Sequence, residues 1–227
     1  MDLFGPSITM SLGGNYDELV IVDDFYKFTW TLFLESKSDA FFAYKKLAKR
    51  LQNMCCSNIC AIRSDHGGEF QNEKLNGFYE KLGIFHNLYA PRTPQHSGVV
   101  ERKNRSFEEL GNTILSEFSL PEYFLVDVVS TTCYVMNRFL IRPILKKTPY
   151  ELFNGRKHNI GHLKVFGYKC YILNNGKDNV GKFDEKVDNG IFLGYSLTSH
   201  AYRVYNKRLM IVEEFIHVVF DETNHVE

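Results

Sequence analysis

Hydrophobic periodicity changes once along this chain, near Leu163, and the change limits the fold to two unlike parts. Upstream, short runs rich in β-branched and aromatic residues alternate with longer stretches of helical spacing, the pattern of an α/β layer. Leu19 to Asp23 and Phe28 to Leu34 read as the strands of a hairpin. Ser36 with Asp39 resembles a capping box, and Tyr44, Leu47, Ala48 and Leu51 recur at helical spacing, which predicts a helix from about Lys37 to Asn53. Ile59 to Arg63 predicts a short buried strand, so Asp65 falls at a strand's C-terminal end, just before the turn formers Gly67 and Gly68. Glu73 to Leu82 predicts a helix stopped by Gly83, followed by a strand from Ile84 to Leu88.

Ala90 to Gly98 holds Pro91, Pro94, Ser97 and Gly98, the composition of a surface loop, and the next helix is expected to begin directly after it, with Glu101 at its opening. Phe107, Leu110, Ile114, Leu115 and Phe118 follow helical spacing and leave Glu101, Arg105, Glu108 and Asn112 on the polar face. A further helix is predicted over Tyr123 to Leu140. Beyond Leu163 the texture is β-only: Tyr168 to Leu173, Gly190 to Leu197, Ala201 to Asn206 and Ile211 to Phe220, with Gly, Asn and Asp between them, read as a small separate barrel.

Charge and cysteine usage exclude several classes. The 227 residues carry 27 basic and 27 acidic side chains, so bulk charge announces no polyanion binder, but residues 40 to 63 hold five basic residues and no acid, and residues 213 to 227 hold five acids and no Lys or Arg. Five cysteines, three of them crowded at Cys55, Cys56 and Cys60, read as reduced thiols rather than a disulfide framework. His66, His86 and His96 lack paired cysteines at ligand spacing, so no structural zinc is expected. No stretch has the ~20 apolar residues of a spanning helix, and Met-Asp-Leu-Phe-Gly-Pro is no secretory start. An intracellular protein without a membrane span is the expectation.

Three tracts put a carboxylate beside a structural transition: Asp2 at the start, Asp65 in RSDHGGEF and Glu101 in PQHSGVVERKNR. Carboxylates are the hard oxygen ligands that divalent cations require, and two such ions about 4 Å apart can activate an attacking oxygen and stabilise a leaving one in phosphoryl transfer. Spacing alone decides little among 27 acids. The surrounding residues decide more. DLFGP, VDDF, RSDHGGEF, GIFHNLYAPRTPQHSGVVERKNR and TPYELFNGRK, in that order, resemble the integrase core of copia-type retrotransposons, and 35 residues separate Asp65 from Glu101 as in that family's D,D(35)E pattern. HLKVFGYKCYILN, KFDEKVDNGIFLGYS and AYRVYN resemble the Src-homology-3-like module that follows the core in the same polyproteins.

The resemblance implies an α/β RNase H-like core over residues 1–155, with a mixed central sheet flanked by helices, and a small all-β Src-homology-3-like barrel over 160–223. It implies that Asp2, Asp65 and Glu101 bind two Mg2+ or Mn2+ ions and catalyse strand transfer. Arg105, one turn beyond Glu101, would face the DNA backbone together with Lys103 and Arg102. Element ends and target DNA would be the partners, a homo-oligomer the working form and the nucleus the destination. Phosphate contacts of this kind position a duplex without reading its sequence. The loop 90 to 98 would be a flap beside the site, with Gly98 allowing close approach.

Simpler roles exist for each residue taken singly. Asp65 could serve turn chemistry, and Glu101 could favour a helix N-terminus. Glu69, Asp23 and Asp24 are acids near strand ends that the motif frame leaves structural, and Trp30 with most Phe and Tyr reads as core. His66 stands where the family has Asn, and Phe124-Leu125 where it has an aromatic pair with Trp. The chain begins at the first aspartate, so half of the first strand and the family's upstream zinc module are expected to be missing. An inactive remnant that only binds DNA or other integrase chains is therefore the alternative, and a ribonuclease H-type hydrolase a third reading.

Overall fold

The computed structural model describes residues 1–5, 7, 9–88, 94–173 and 187–221, with side chains from residue 98 onward in the segment that begins at 94. The chain divides into two compact units, Met1–Glu109 and Leu110–Glu227.

In the first unit, β1 (Asp2–Phe4), β2 (Asp17–Val22) and β3 (Thr29–Leu34) form an antiparallel sheet in that order, with Asp2 opposite Val20 and Phe4 opposite Glu18. The hairpin expected from Leu19 and Phe28 is present, but β2 starts two residues early, so Asp17 and Glu18 are carried into the sheet and buried. Ser36 donates to the Asp39 carboxylate from its N–H (3.2 Å) and its hydroxyl (2.9 Å). This box opens one 3-10 turn at Lys37–Asp39, and α1 (Ala40–Cys55) follows.

β4 (Ala61–Ser64) pairs in parallel with β5 (Phe85–Leu88), the crossover being α2 (Glu73–Leu82), capped by Asn72 at its start and by Gly83 (φ 65) at its end. The Met1 amine donates to the Arg63 carbonyl at 2.6 Å, which sets the start of β1 beside β4 and makes the two sheets neighbours. Leu19, Leu34, Tyr44, Ala48, Phe70, Leu75, Phe78 and Tyr79 form the core of this unit. Phe25 (66% exposed) and Phe85 (74%) lie outside it, exceptions to the reading of most aromatics as core.

α3 (Pro94–Glu117) begins earlier than its sequence suggests. The expected loop 90–98 lies outside the described residues up to 93, and from Pro94 it is helix. Proline at a first helical position has a preset φ and no N–H to waste, so it starts a helix as readily as it breaks one. Glu101 therefore lies two turns inside α3 rather than at its opening. Val100, Asn104 and Phe107 are buried along the helix, while Leu110, expected on the apolar face, is 42% exposed.

In the second unit, α4 (Leu125–Phe139) and α5 (Pro149–Asn154) precede a five-stranded antiparallel sheet of order β10-β6-β7-β8-β9. Its strands are β6 (Lys169–Leu173), β7 (Val187–Tyr195), β8 (Tyr202–Asn206), β9 (Ile211–Phe215) and β10 (Val218–Phe220). Thr148 and Glu151 form a reciprocal capping box at α5 (2.9 and 3.2 Å), the physical content of TPYELFNG. α4 lies directly on β7. Thr131 Oγ1 donates to the Leu193 carbonyl at 2.7 Å, at a bulge between Phe192 and Gly194. A Cβ on Gly194 (φ 141) would stand 2.0 Å from Thr131 Oγ1. Arg203 of β8 lies 2.8 Å from Asp127 of α4, an ion pair whose direction completes no hydrogen bond to that oxygen. Phe124, Val128 and Leu193 fill the space between helix and sheet. All five cysteines are free thiols. Among the described residues no helix is long and apolar enough to cross a membrane.

Candidate active site

Asp2, Asp65 and Glu101 come from three elements of the first unit: the opening of β1, the residue after β4, and the second turn of α3. The fold brings Asp65 and Glu101 within electrostatic reach of Asp2. Burial lifts the Asp2 carboxyl above its ordinary range, and the negative charges of Asp65 and Glu101 add to the rise, against the Met1 ammonium and the Leu3 N–H. The Met1 ammonium is itself pushed down to about 6 by burial, with Asp2 and Asp65 opposing.

Each acid is held differently. Asp2 Oδ2 accepts from Asn104 Nδ2 at 2.8 Å, across 102 residues of sequence. Asn104 is buried, one turn beyond Glu101 on α3, so a single amide ties β1 to the helix that carries the third acid. Its own Oδ1 is buried and has no hydrogen-bond partner among the described residues. Asp65 Oδ1 accepts the Gly67 N–H at 3.1 Å, so the turn chemistry expected of this aspartate is present and still leaves the second carboxylate oxygen. Glu101 is exposed on α3.

Beneath Asp65 sits a contact that no motif announced. Ser64, fully buried at 0% exposure, donates to the Asp65 carbonyl (3.1 Å) and lies 2.8 Å from His86 Nε2 on β5. His86 packs against the Tyr79 ring at 4.9 Å, and burial holds its pKa below the usual histidine value. His66 instead points its Nδ1 to Gln71 (3.1 Å) on the exposed side of the turn.

Of the cationic residues, Arg105 is exposed, Lys103 half-buried, and Arg102 exposed with its Nε returned to the Gly98 carbonyl one turn back. The acids read as structural are so engaged: Asp23 caps the turn at Tyr26 N–H (2.5 Å) and Asp24 pairs with Lys27 (2.6 Å). The Glu69 carboxyl covers Gly67, where a Cβ would stand 2.8 Å from it.

Among the described residues no three His, Cys, Asp or Glu side chains converge closely enough to hold a metal ion. The donor chemistry does suit a hard divalent cation. The three groups are all carboxylates, and a cation would relieve the repulsion from Asp65 and Glu101 that adds to burial in raising Asp2.

Comparison with known proteins now bears on this arrangement. Residues 168–227 match the Retroviral polymerase SH3-like domain. The Retrovirus-related Pol polyprotein from transposon TNT 1-94 of Nicotiana tabacum is 31% identical over 222 residues, 98% of this chain. That from transposon RE1 of Arabidopsis thaliana is 37% identical over 216 residues, 92% of this chain. The chain is a homologue of copia-type transposon Pol polyproteins. It spans 17% and 14% of the lengths of those two relatives. A chain of the simian T-cell lymphotropic virus intasome, solved in complex with PP2A regulatory subunit B56 gamma, matches 94% of this chain and 75% of its own at a TM-score of 0.53 and 16% identity. At that identity the likeness speaks to the fold alone. The chain is thus α/β, an RNase H-like core fold followed by an SH3-like all-β region to which the five-stranded sheet belongs.

Proposed function

We propose that the chain is the catalytic core and following barrel of a retrotransposon integrase, a polynucleotidyl transferase that joins DNA 3′ ends to target DNA. The observation that supports this reading is that Asp2 feels the charges of both Asp65 and Glu101, which come from separate elements within one motif frame. In this reading the core runs over residues 1–155 and the barrel over 160–223. Two Mg2+ or Mn2+ ions, when bound, would activate the attacking 3′ hydroxyl and stabilise the leaving oxygen. The three carboxylates would hold them. Asn104 fixes Asp2, and Gly67 fixes one oxygen of Asp65, so both groups are oriented before any ion arrives. Arg105 on the solvent side of α3, with Lys103 and Arg102 beside it, would neutralise backbone phosphates without reading bases. Joining the two ends of an element to chromosomal DNA calls for more than one such centre and for nuclear access, so a homo-oligomer in the nucleus is part of the proposal.

The test is a disintegration reaction on a branched oligonucleotide with Mn2+ or Mg2+, run beside Asp65→Asn and Glu101→Gln. Product that needs both metal and Asp65 is the expected result, and both variants should keep or raise the melting temperature because they relieve carboxylate repulsion. A second reading, an inactive remnant that binds DNA or other integrase chains, is favoured by one observation, the lack of a three-ligand group among the described residues. Folded protein that binds DNA and yields no product would select it.

A further inference from the structure

We propose that His86, acting through Ser64, is a positioning residue for Asp65. The inference rests on the integrase reading of Asp65 and goes beyond it in assigning a role to two residues outside the acidic triad.

A serine hydroxyl has one proton to give. Ser64 gives it to the Asp65 carbonyl at 3.1 Å, so the 2.8 Å approach of His86 Nε2 is satisfied when that nitrogen carries a proton and donates to Ser64 Oγ. The chain of bonds then runs in one direction, from His86 to Ser64 to Asp65. Each link is fixed by a different part of the fold. Ser64 is the last residue of β4 and has no exposed surface. His86 is set by the parallel register, in which it stands opposite Ile62 while Ser64 stands opposite Leu88. Its ring packs at a tilt of 50° against that of Tyr79 of α2, 4.9 Å between centroids.

Asp65 needs such support because it lies one residue past the end of the β4–β5 ladder, beyond the last strand pair, Ser64 with Leu88. The Gly67 N–H holds its side chain from one side at 3.1 Å, and Ser64 holds its main chain from the other. A pivot of the Asp65 peptide would swing the carboxylate by more than the ~0.5 Å a metal-assisted centre tolerates. Outer partners that orient a metal ligand are typically worth 10–100-fold in affinity or activity.

The experiment uses the full chain with His86→Leu, which removes the donor; His86→Gln, which keeps a side-chain N–H; Ser64→Ala, which cuts the relay; and Asp65→Asn as control. Three quantities are read: Mn2+ affinity by calorimetry, hydrogen exchange of the Gly67 amide without metal, and thermal melting. His86→Leu and Ser64→Ala should each weaken Mn2+ binding and speed Gly67 exchange by about tenfold, at an unchanged melting temperature. The double variant should be no worse than either, and His86→Gln should recover most of the loss. Wild-type values in both His86→Leu and Ser64→Ala overturn the proposal, as does a loss in His86→Gln equal to that in His86→Leu and matched by lower melting, which marks packing alone. If Mn2+ binding in the unsubstituted protein does not depend on Asp65, the metal reading of the site has failed, and Gly67 exchange decides the positioning role by itself.

Discussion

Single side chains in the first unit carry its sharpest conflicts. Glu18 is almost wholly buried in β2, opposite Phe4 and Phe33, and burial pushes its carboxyl up to about 8 while one of its oxygens has no hydrogen-bond partner among the described residues. The folded state therefore holds this proton more tightly than the unfolded chain does. Its contribution to stability is fully present below the unfolded value of about 4.5, falls as pH rises from there to about 8, and is flat beyond. Glu18→Gln should remove that slope, stabilising the protein by a few kcal/mol on the order expected for a shift of this size at pH 8 and hardly at all at pH 4. Urea melts at the two pH values check it, and equal effects at both would refute the assignment. Asn104 poses the opposite case, a buried polar group with a task. Asn104→Ala should cost about 1 kcal/mol through the lost bond to Asp2, and Asp2 should titrate higher still, as carboxyl NMR would record. Neither residue was conspicuous in the sequence. The strand pattern reads only from Leu19, because acids seldom enter sheets, which leaves Asp17 and Glu18 out of it. Asn104 had one available signal: it stands between Val100 and Phe107, one turn from each, on what proved to be a buried seam.

At the scale of elements, local chemistry wrote the caps and turns plainly. α2 ends where Gly83 was expected to stop it, and Asp65 follows β4 as the strand pattern required. α3 was misjudged because Pro94 and Gly98 are loop formers by composition, whereas proline in the first turn costs a helix nothing. Tertiary fit was illegible. Nothing local says that α4 sits on the β7 bulge so closely that Gly194 cannot carry a side chain. Gly194→Ala should cost about 3 kcal/mol or more, since it meets both a positive φ and Thr131, and pairing it with Thr131→Ala should recover part of the loss in a melting cycle. α4 also carries Arg138, whose guanidinium lies 3.3 Å from the Tyr134 ring centre and 4.4 Å from that of Tyr150. Burial, then Arg138, then His162, push His158 down to about 4. Because folding favours neutral His158, the stability it lends is present above its unfolded value of about 6.5 and is lost as pH falls from there through about 4. An NMR titration should place its midpoint near 4 and move it upward in Arg138→Leu. A midpoint near 6.5 in the unsubstituted protein would dismiss the cluster as its cause.

The whole molecule divides differently from its motifs. The change of texture near Leu163 and the family match from residue 168 both set the barrel apart, yet the compact unit that contains it begins at Leu110. The reason is the shared core: Phe124 and Val128 ahead of the barrel pack with Leu193 and Tyr205 inside it, and Arg203 reaches Asp127. A fragment of residues 110–227 should melt cooperatively by circular dichroism, while 160–227 should not, having lost the layer that covers β7. Cooperative melting of the shorter piece would show that the barrel needs no helix. A consequence reaches beyond the single molecule. A sequence freed from selection collects substitutions without regard to site, and every replacement of a glycine adds a side chain. At position 194, and at 190 where a Cβ would stand 2.4 Å from Val204, any such change is felt at once by the fold. Among close relatives of this chain, glycine at both positions should therefore separate sequences still required to fold from those that have lost that requirement.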